Sequence, residues 1–513
     1  MAKAGESLKN IAKVSFGTLN SRILGLVRDV LTIAVLGVNA VSDAFFFGFQ
    51  VPNLFRRLMG EGALSSAFIP ILSNTLRNSG KEEAFRFLNR VLTRAAIILV
   101  ILVAIGIGVA LFYKFTLANE PRLIFGSAFA AFMMPYMFFI CIAAILCGAL
   151  NVLGSFAIPA FNPVWLNISM ITSTLIGAFL FGTDIVGIAK AICVGALVGG
   201  FAQFAVPAWE LRRKGWRYAP DLGRCDALGE FFKLFFPALL GAGIIQLNIF
   251  VIQALALKVG DNAVSSIYIS SRLVELPLGM FTFSIITVYF PKLSSLSKTD
   301  DIENYSREYS NGMISILFIA LPAALGLFAL REDILGLLFQ WGNFGADDVA
   351  ASAPILAISA LAIPFYSLAT YSTRGFHSLK DTRTPVKVSA CAFFVNIGAA
   401  LALMGPFGAK GLVAANLISA LFQTVALNIS FRSRRKSVNV FSEGAKCLLA
   451  ALAMFAMIYF LRPFALEFAN GKIAAVLNCA VLIPAGVAVY ALCLTLFKFK
   501  GFSEVKRILK KGK

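Results

Sequence analysis

Apolar residues in this chain are gathered into long blocks separated by short polar connections. Runs of 18 or more recur along the whole length, and each is long enough to cross roughly 30 Å of hydrocarbon as a helix. The blocks predict spans near 8–37, 43–73, 92–113, 123–148, 158–182, 185–211, 232–256, 263–291, 309–330, 350–373, 385–404, 410–431, 444–461 and 473–497. The expected fold is therefore an all-α polytopic membrane protein with about 14 transmembrane helices. An even count puts both ends on one side. The first ten residues, MAKAGESLKN, carry no apolar run, so no cleavable signal peptide is expected.

Composition agrees: 59% of residues are hydrophobic and 14% charged, with a mean hydropathy of +0.82. The net charge of +20 would suggest nucleic acid in a soluble protein. Here its distribution gives a different reading, with no nucleic-acid partner. With the N-terminus inside, 33 of the 46 Lys and Arg fall in inside segments and 7 in outside loops. That bias is the positive-inside rule, and it predicts cytoplasmic termini. The eight cysteines form no CxxC and mostly lie in apolar runs, as small hydrophobes do. The single histidine, His377, has no Cys/His cluster around it, so no metal site is expected.

A weak internal repeat is present. Residues 47–73 align with 268–294 at an offset of 221, matching Pro70 with Pro291, Leu72 with Leu293 and Ser73 with Ser294. Pro163-Val164 meets Pro385-Val386 at an offset of 222. An offset of six spans preserves orientation, which predicts two parallel six-helix lobes, 1–213 and 214–432. Residues 433–513 then form a two-helix appendage with a basic tail. Substrate sites in such transporters lie near the midplane between the repeats.

Arg22, Arg28, Arg56, Arg57 and Arg272 lie inside predicted spans. An arginine at membrane depth costs about 2.5–3.5 kcal/mol on insertion scales, so these groups should face water or partners. Arg22 and Asp29 are seven residues apart and share a helix face about 10 Å along the axis. Asp43 and Arg57 are fourteen apart, again on one side, and Arg272 and Glu275 are i,i+3 neighbours. Within the first two spans four arginines face only Asp29, Asp43 and Glu61. Such an excess suits an anion, and the guanidinium fork suits phosphate. Asp43, like the other acids, is expected to position an arginine or gate the cavity. Gly25, Pro52, Gly60, Gly62 and Pro277 interrupt the spans as candidate hinges.

The runs SRILGLVRDVLTIAVLG (21–37) and SDAFFFGFQVPNLFRRLMGEGALSSAFIPIL (42–72) closely resemble the N-terminal signature of the MurJ (MviN) family of lipid II flippases. SRLVELPLG (271–279), FQWGNFGADD (339–348) and DTRTPVK (381–387) extend the resemblance along the chain. It implies the fold of the multidrug/oligosaccharidyl-lipid/polysaccharide (MOP) exporter superfamily, with two six-helix lobes around a cationic cavity. It also implies a groove for the undecaprenyl tail on spans thirteen and fourteen. The family's cavity arginines map onto Arg22, Arg28, Arg56, Arg57 and Arg272, and its acidic residues onto Asp43 and Glu275. Many members carry Asp before the last of those arginines; here it is Ser271. The implied substrate is lipid II, in the bacterial cytoplasmic membrane, with peptidoglycan synthesis proteins as partners.

The rival readings are an exporter of another polyprenyl-linked oligosaccharide or of drugs, and a membrane glycosyltransferase. The latter needs a catalytic acid on an outer loop. The candidates are Glu332, Asp333, Asp347 and Asp348 in 331–349, which have no basic or metal cluster beside them. No Walker A motif is present and no cofactor is expected. Turnover is expected to draw on membrane potential, an ion gradient or consumption of product.

Overall fold

The computed structural model describes residues 2–58, 64–116, 119–260, 262–298, 301–432, 440–466, 471–499 and 501. Among them there is no strand. The helices are α1 (Ala2–Leu36), α2 (Ala40–Arg57), α3 (Leu64–Thr116), α4 (Pro121–Val152), α5 (Ala157–Phe181), α6 (Ile185–Arg213), α7 (Asp226–Val259) and α8 (Ala263–Pro277). A π-helical turn, Leu278–Thr282, leads into α9 (Phe283–Leu296). Then come α10 (Ile302–Ala329), α11 (Arg331–Phe339), α12 (Ala346–Leu361), α13 (Ile363–Ser378), α14 (Arg383–Arg432), α15 (Val440–Leu466) and α16 (Gly471–Leu496).

Two of these helices are broken by glycines in the left-handed region, where a side chain would be strained. Gly80, at φ +84°, divides α3, and Gly408, at φ +56°, divides α14. Ten stretches among the described residues are long and apolar enough to cross a membrane. The protein is a multi-pass membrane protein. The fourteen spans expected from sequence include α1, α2 and α7, which fall outside those ten.

The chain forms two compact units. The first holds residues 1–258 and Trp341–Phe344. In it α5 packs on α6 and α1, and α4 packs on α2, α3 and α6. A span count gives α7 to the second lobe, but its residues up to Lys258 lie in the first unit. There Phe231 sits edge-on to Phe68 and Phe250 against Phe47. The short segment Trp341–Phe344 caps the end of α1: Asn343 donates its backbone N–H to the Ala34 carbonyl (2.7 Å) and its side-chain amide to that of Val35 (2.6 Å).

The second unit holds 259–340 and 345–513. Within it α15 and α16 pack against α10 through Leu330, Cys447, Ala451, Met454, Ile458 and Tyr490. The terminal pair thus shares a core with its unit. A partly buried ion network adds to that core. Arg462 on α15 meets Asp333 (2.7 Å) and Glu332 (2.6 Å) of α11, and Asn478 on α16 donates to Asp333 (2.7 Å).

Candidate functional site: arginines within the apolar helices

In the first unit Arg28 is 7% exposed on α1. Its Nε (3.0 Å) and one terminal nitrogen (2.6 Å) donate to the same oxygen of Asp29. Its other terminal nitrogen donates to Asn167 on α5 (3.0 Å). The guanidinium lies 5.6 Å from the Phe49 ring of α2. Asn167 in turn donates to the Ser21 carbonyl (3.0 Å), so one amide ties α5 both to the backbone of α1 and to its arginine. A charge taken out of water is stable only when paired and hydrogen-bonded, and these contacts supply both.

Asp29, on one helix face with Arg22 by spacing, makes its ion pair with Arg28, its chain neighbour, while Arg22 is exposed. Helix spacing ranks i,i+1 residues as divergent. Here the long arginine stem folds back, because the second half of α1 is buried and the stretch around Arg22 is not. Among the described residues Arg22 makes no ion pair or hydrogen bond.

Arg56 and Arg57 occupy the last turn of α2 and are half-buried. Asp43 lies buried in its first turn, behind a capping box of Asn39 and Ser42. Both placements suit the helix dipole, acid at the N-terminus and base at the C-terminus. Asn53 accepts from Arg56 Nε (3.2 Å). Glu61, Gly60 and Gly62 lie outside the described residues.

The candidate hinges differ. α1 runs unbroken through Gly25, where a Cβ would come to 3.7 Å from the Asn167 amide. α2 runs on through the buried Pro52. At Pro277 the helix changes character, passing into the π-helical turn.

In the second unit Arg272 donates to Glu275 (3.0 Å) and to the Tyr268 hydroxyl (2.9 Å), and its guanidinium lies 4.7 Å from the Tyr268 ring. Tyr268, one turn earlier, gives a neutral contact where Ser271 gives no charge. Asn167 and Tyr268 were both missed from sequence. A neutral polar residue in an apolar run carries little signal until its partner is known. Two of the acids considered for glycosyl transfer, Glu332 and Asp333, are engaged by Arg462, and Asp348 caps Gly345 (2.9 Å).

A family profile described as "Lipid II flippase MurJ" matches residues 33–481. The chain belongs to the MurJ family. "Probable lipid II flippase MurJ" of Haemophilus influenzae is 32% identical over 87% of this chain and 91% of its own length. The Thermotoga maritima protein of the same description is 30% identical over 99% of both chains. A solved structure described as lipid II flippase MurJ in an inward closed conformation superimposes with a TM-score of 0.79, at 26% identity, over 94% of this chain and 98% of that one. An inward-facing multidrug MATE transporter of the MOP superfamily shares the fold at a TM-score of 0.63 and 15% identity, over 83% of this chain and 98% of its own. This MurJ-family chain is thus a transporter by descent and not an enzyme.

Proposed function

We propose that the protein flips lipid II from the inner to the outer leaflet of the bacterial cytoplasmic membrane by alternating access, supplying peptidoglycan synthesis. The observation that carries this reading is the family match across residues 33–481. The chemistry agrees with it. A bare pyrophosphate in hydrocarbon costs tens of kcal/mol by Born estimates, and forked donors can replace its hydration. Arg22, Arg28, Arg56, Arg57 and Arg272 are the proposed contacts, with Asp29, Asp43, Glu61 and Glu275 as positioning or gating groups. The proposed lobes are 1–213 and 214–432, and the undecaprenyl tail runs in lipid or along the helices of 433–513. Both termini are cytoplasmic in this proposal, and the proteins that polymerise the precursor are the proposed partners.

The test is depletion with a lipid II accessibility assay. Lipid II should accumulate and stay inaccessible from outside. Lipid II that remains accessible while only glycan polymer falls would support a synthetic role instead. Orientation is read with single cysteines at the exposed Arg224 and Asp347 positions, in a background without native thiols. Only Asp347→Cys should react with an impermeant maleimide in intact cells.

A further inference from the structure

A cavity of about 840 Å³ lies among α3, α4 and α6 and the segment 216–218, lined by none of the arginines discussed above. That volume falls within the range of about 300–1,000 Å³ typical of small-molecule sites. Its walls are apolar: Leu92, Phe138, Ile142, Leu146 and Phe204. Its rim is of another kind, with Trp209, Trp216 and Tyr218 beside Arg212 and Arg217. Aromatic and basic side chains together mark the level of lipid headgroups.

The rim is a built structure. The Trp216 indole donates to Asn89 of α3 (2.8 Å), and the Asn89 amide donates to the Arg217 carbonyl (3.0 Å). Arg90 pairs with Asp221 (2.8 Å), and Arg94 donates to the Leu222 (2.6 Å) and Gly223 (3.0 Å) carbonyls. The Gly223 N–H, then the Arg90 guanidinium, hold the Asp221 carboxyl below its usual range, so the clamp stays charged at neutral pH.

The acids nearby are already engaged. Asp221 serves Arg90, and Glu210 faces Arg213 (3.8 Å) and Lys214 (3.9 Å). Arg212 and Arg217 make no ion pair among the described residues, and both are exposed. Two guanidiniums without carboxylates at the mouth of an apolar slot are complementary to an anionic amphiphile. Basic pockets between membrane helices bind acidic lipid headgroups on this principle.

We propose that this cavity is a binding site for an acidic glycerophospholipid, one acyl chain lying between α4 and α6 and the phosphodiester on Arg212 and Arg217. The clamped segment favours a small headgroup over the bulky saccharide-peptide of a lipid-linked precursor, which would have to displace it.

The site carries its own reporters. Of the four tryptophans, Trp209 and Trp216 lie in it, and Trp165→Phe with Trp341→Phe leaves only these two. The full-length protein is reconstituted in phosphatidylcholine vesicles, and brominated phosphatidylglycerol or brominated phosphatidylcholine is titrated in at low salt. Phosphatidylglycerol should quench saturably at the lower mole fraction. Arg212→Gln and Arg217→Gln should each weaken that preference about fivefold. Ala96→Phe, which fills the cavity but keeps both charges, should reduce the depth of saturable quenching. Equal quenching by the two lipids, or a preference that survives the double arginine variant, would overturn the proposal. Undiminished saturable quenching in Ala96→Phe would place the lipid on surface charge alone. Displacement by a polyprenyl pyrophosphate at lower concentration than by phosphatidylglycerol would make the cavity a substrate subsite. Both arginines are exposed, so fold and melting temperature should be retained in their variants.

Discussion

Arg28 and Arg272 are held by different means, and the difference sets what neighbouring substitutions should do. Arg28 is fixed by a carboxylate on its own helix and an amide 139 residues away. Asn167→Ala removes a hydrogen bond to a charged group, worth about 1.5–3 kcal/mol, together with the bond to the Ser21 carbonyl, and should weaken complementation of a depletion strain. Asn167→Asp should do more harm, since a second carboxylate cancels the positive charge offered to an anion. Wild-type growth of Asn167→Asp at equal protein level would remove Arg28 from the proposed phosphate site. At Arg272, Tyr268→Phe keeps the ring under the guanidinium and loses only the hydroxyl, so its defect should be mild. Tyr268→Ala loses both contacts and should be the weaker of the two in the same assay. Equal growth of the two variants would leave Glu275 as the effective partner. The arginines were legible in the sequence because a charge in an apolar run is costly and conspicuous. Asn167 and Tyr268 were not, since a neutral amide or phenol in such a run has many ordinary uses. The spacing puts Asp29 on one face with Arg22 but does not give its pairing with Arg28, because helical spacing does not encode which half of α1 becomes buried.

The helical character of the apolar blocks was legible, since such blocks and helices are set by the same need to satisfy backbone groups away from water, but the expected span 43–73 is divided between α2 and α3, 350–373 covers both α12 and α13, and α11 was not expected. Their interruptions were less so. The π-helical turn Leu278–Thr282, which follows Pro277, leaves no mark in the apolar pattern. The terminal helices were read as an appendage because they fall outside the repeat, and their attachment to α10 and α11 depends on side chains far apart in sequence. That attachment can be tested. Asp333 is 4% exposed and faces Arg462 and Asn478. Removing one member of a buried pair strands the other, at a cost of about 3–5 kcal/mol, whereas neutralising both costs much less. Arg462→Gln should therefore lower the thermal unfolding temperature clearly, and Asp333→Asn added to it should recover most of the loss. A double variant less stable than the single one would show that Arg462 acts through packing instead of charge.

On the scale of the whole molecule, the chain passes between its two compact units at 258/259, 340/341 and 344/345. The four residues Trp341–Phe344 have their flanks in the second unit and their contacts in the first. What holds them is the unfinished end of α1. A helix leaves its last four carbonyls without intrahelical donors, and α1 has no basic residue in its last turn to serve them. Asn343 supplies two donors, one to Ala34 and one to Val35. Gly342, at φ +56°, lets the backbone approach so closely that a Cβ there would collide with the Ala34 carbonyl oxygen. The motif FQWGNFGADD thus has a structural reason for its Gly-Asn pair that no helix periodicity could reveal. Asn343→Ala loses one side-chain bond and should destabilise by about 0.5–1.5 kcal/mol. Asn343→Asp should cost more, because a carboxylate then faces the carbonyl of Val35 with no proton to donate. Gly342→Ala should cost most, since it strains the backbone and opens both bonds. Thermal unfolding of the purified protein in detergent gives the order directly. Stability unchanged in Gly342→Ala would mean that the segment is not fastened to α1 in solution.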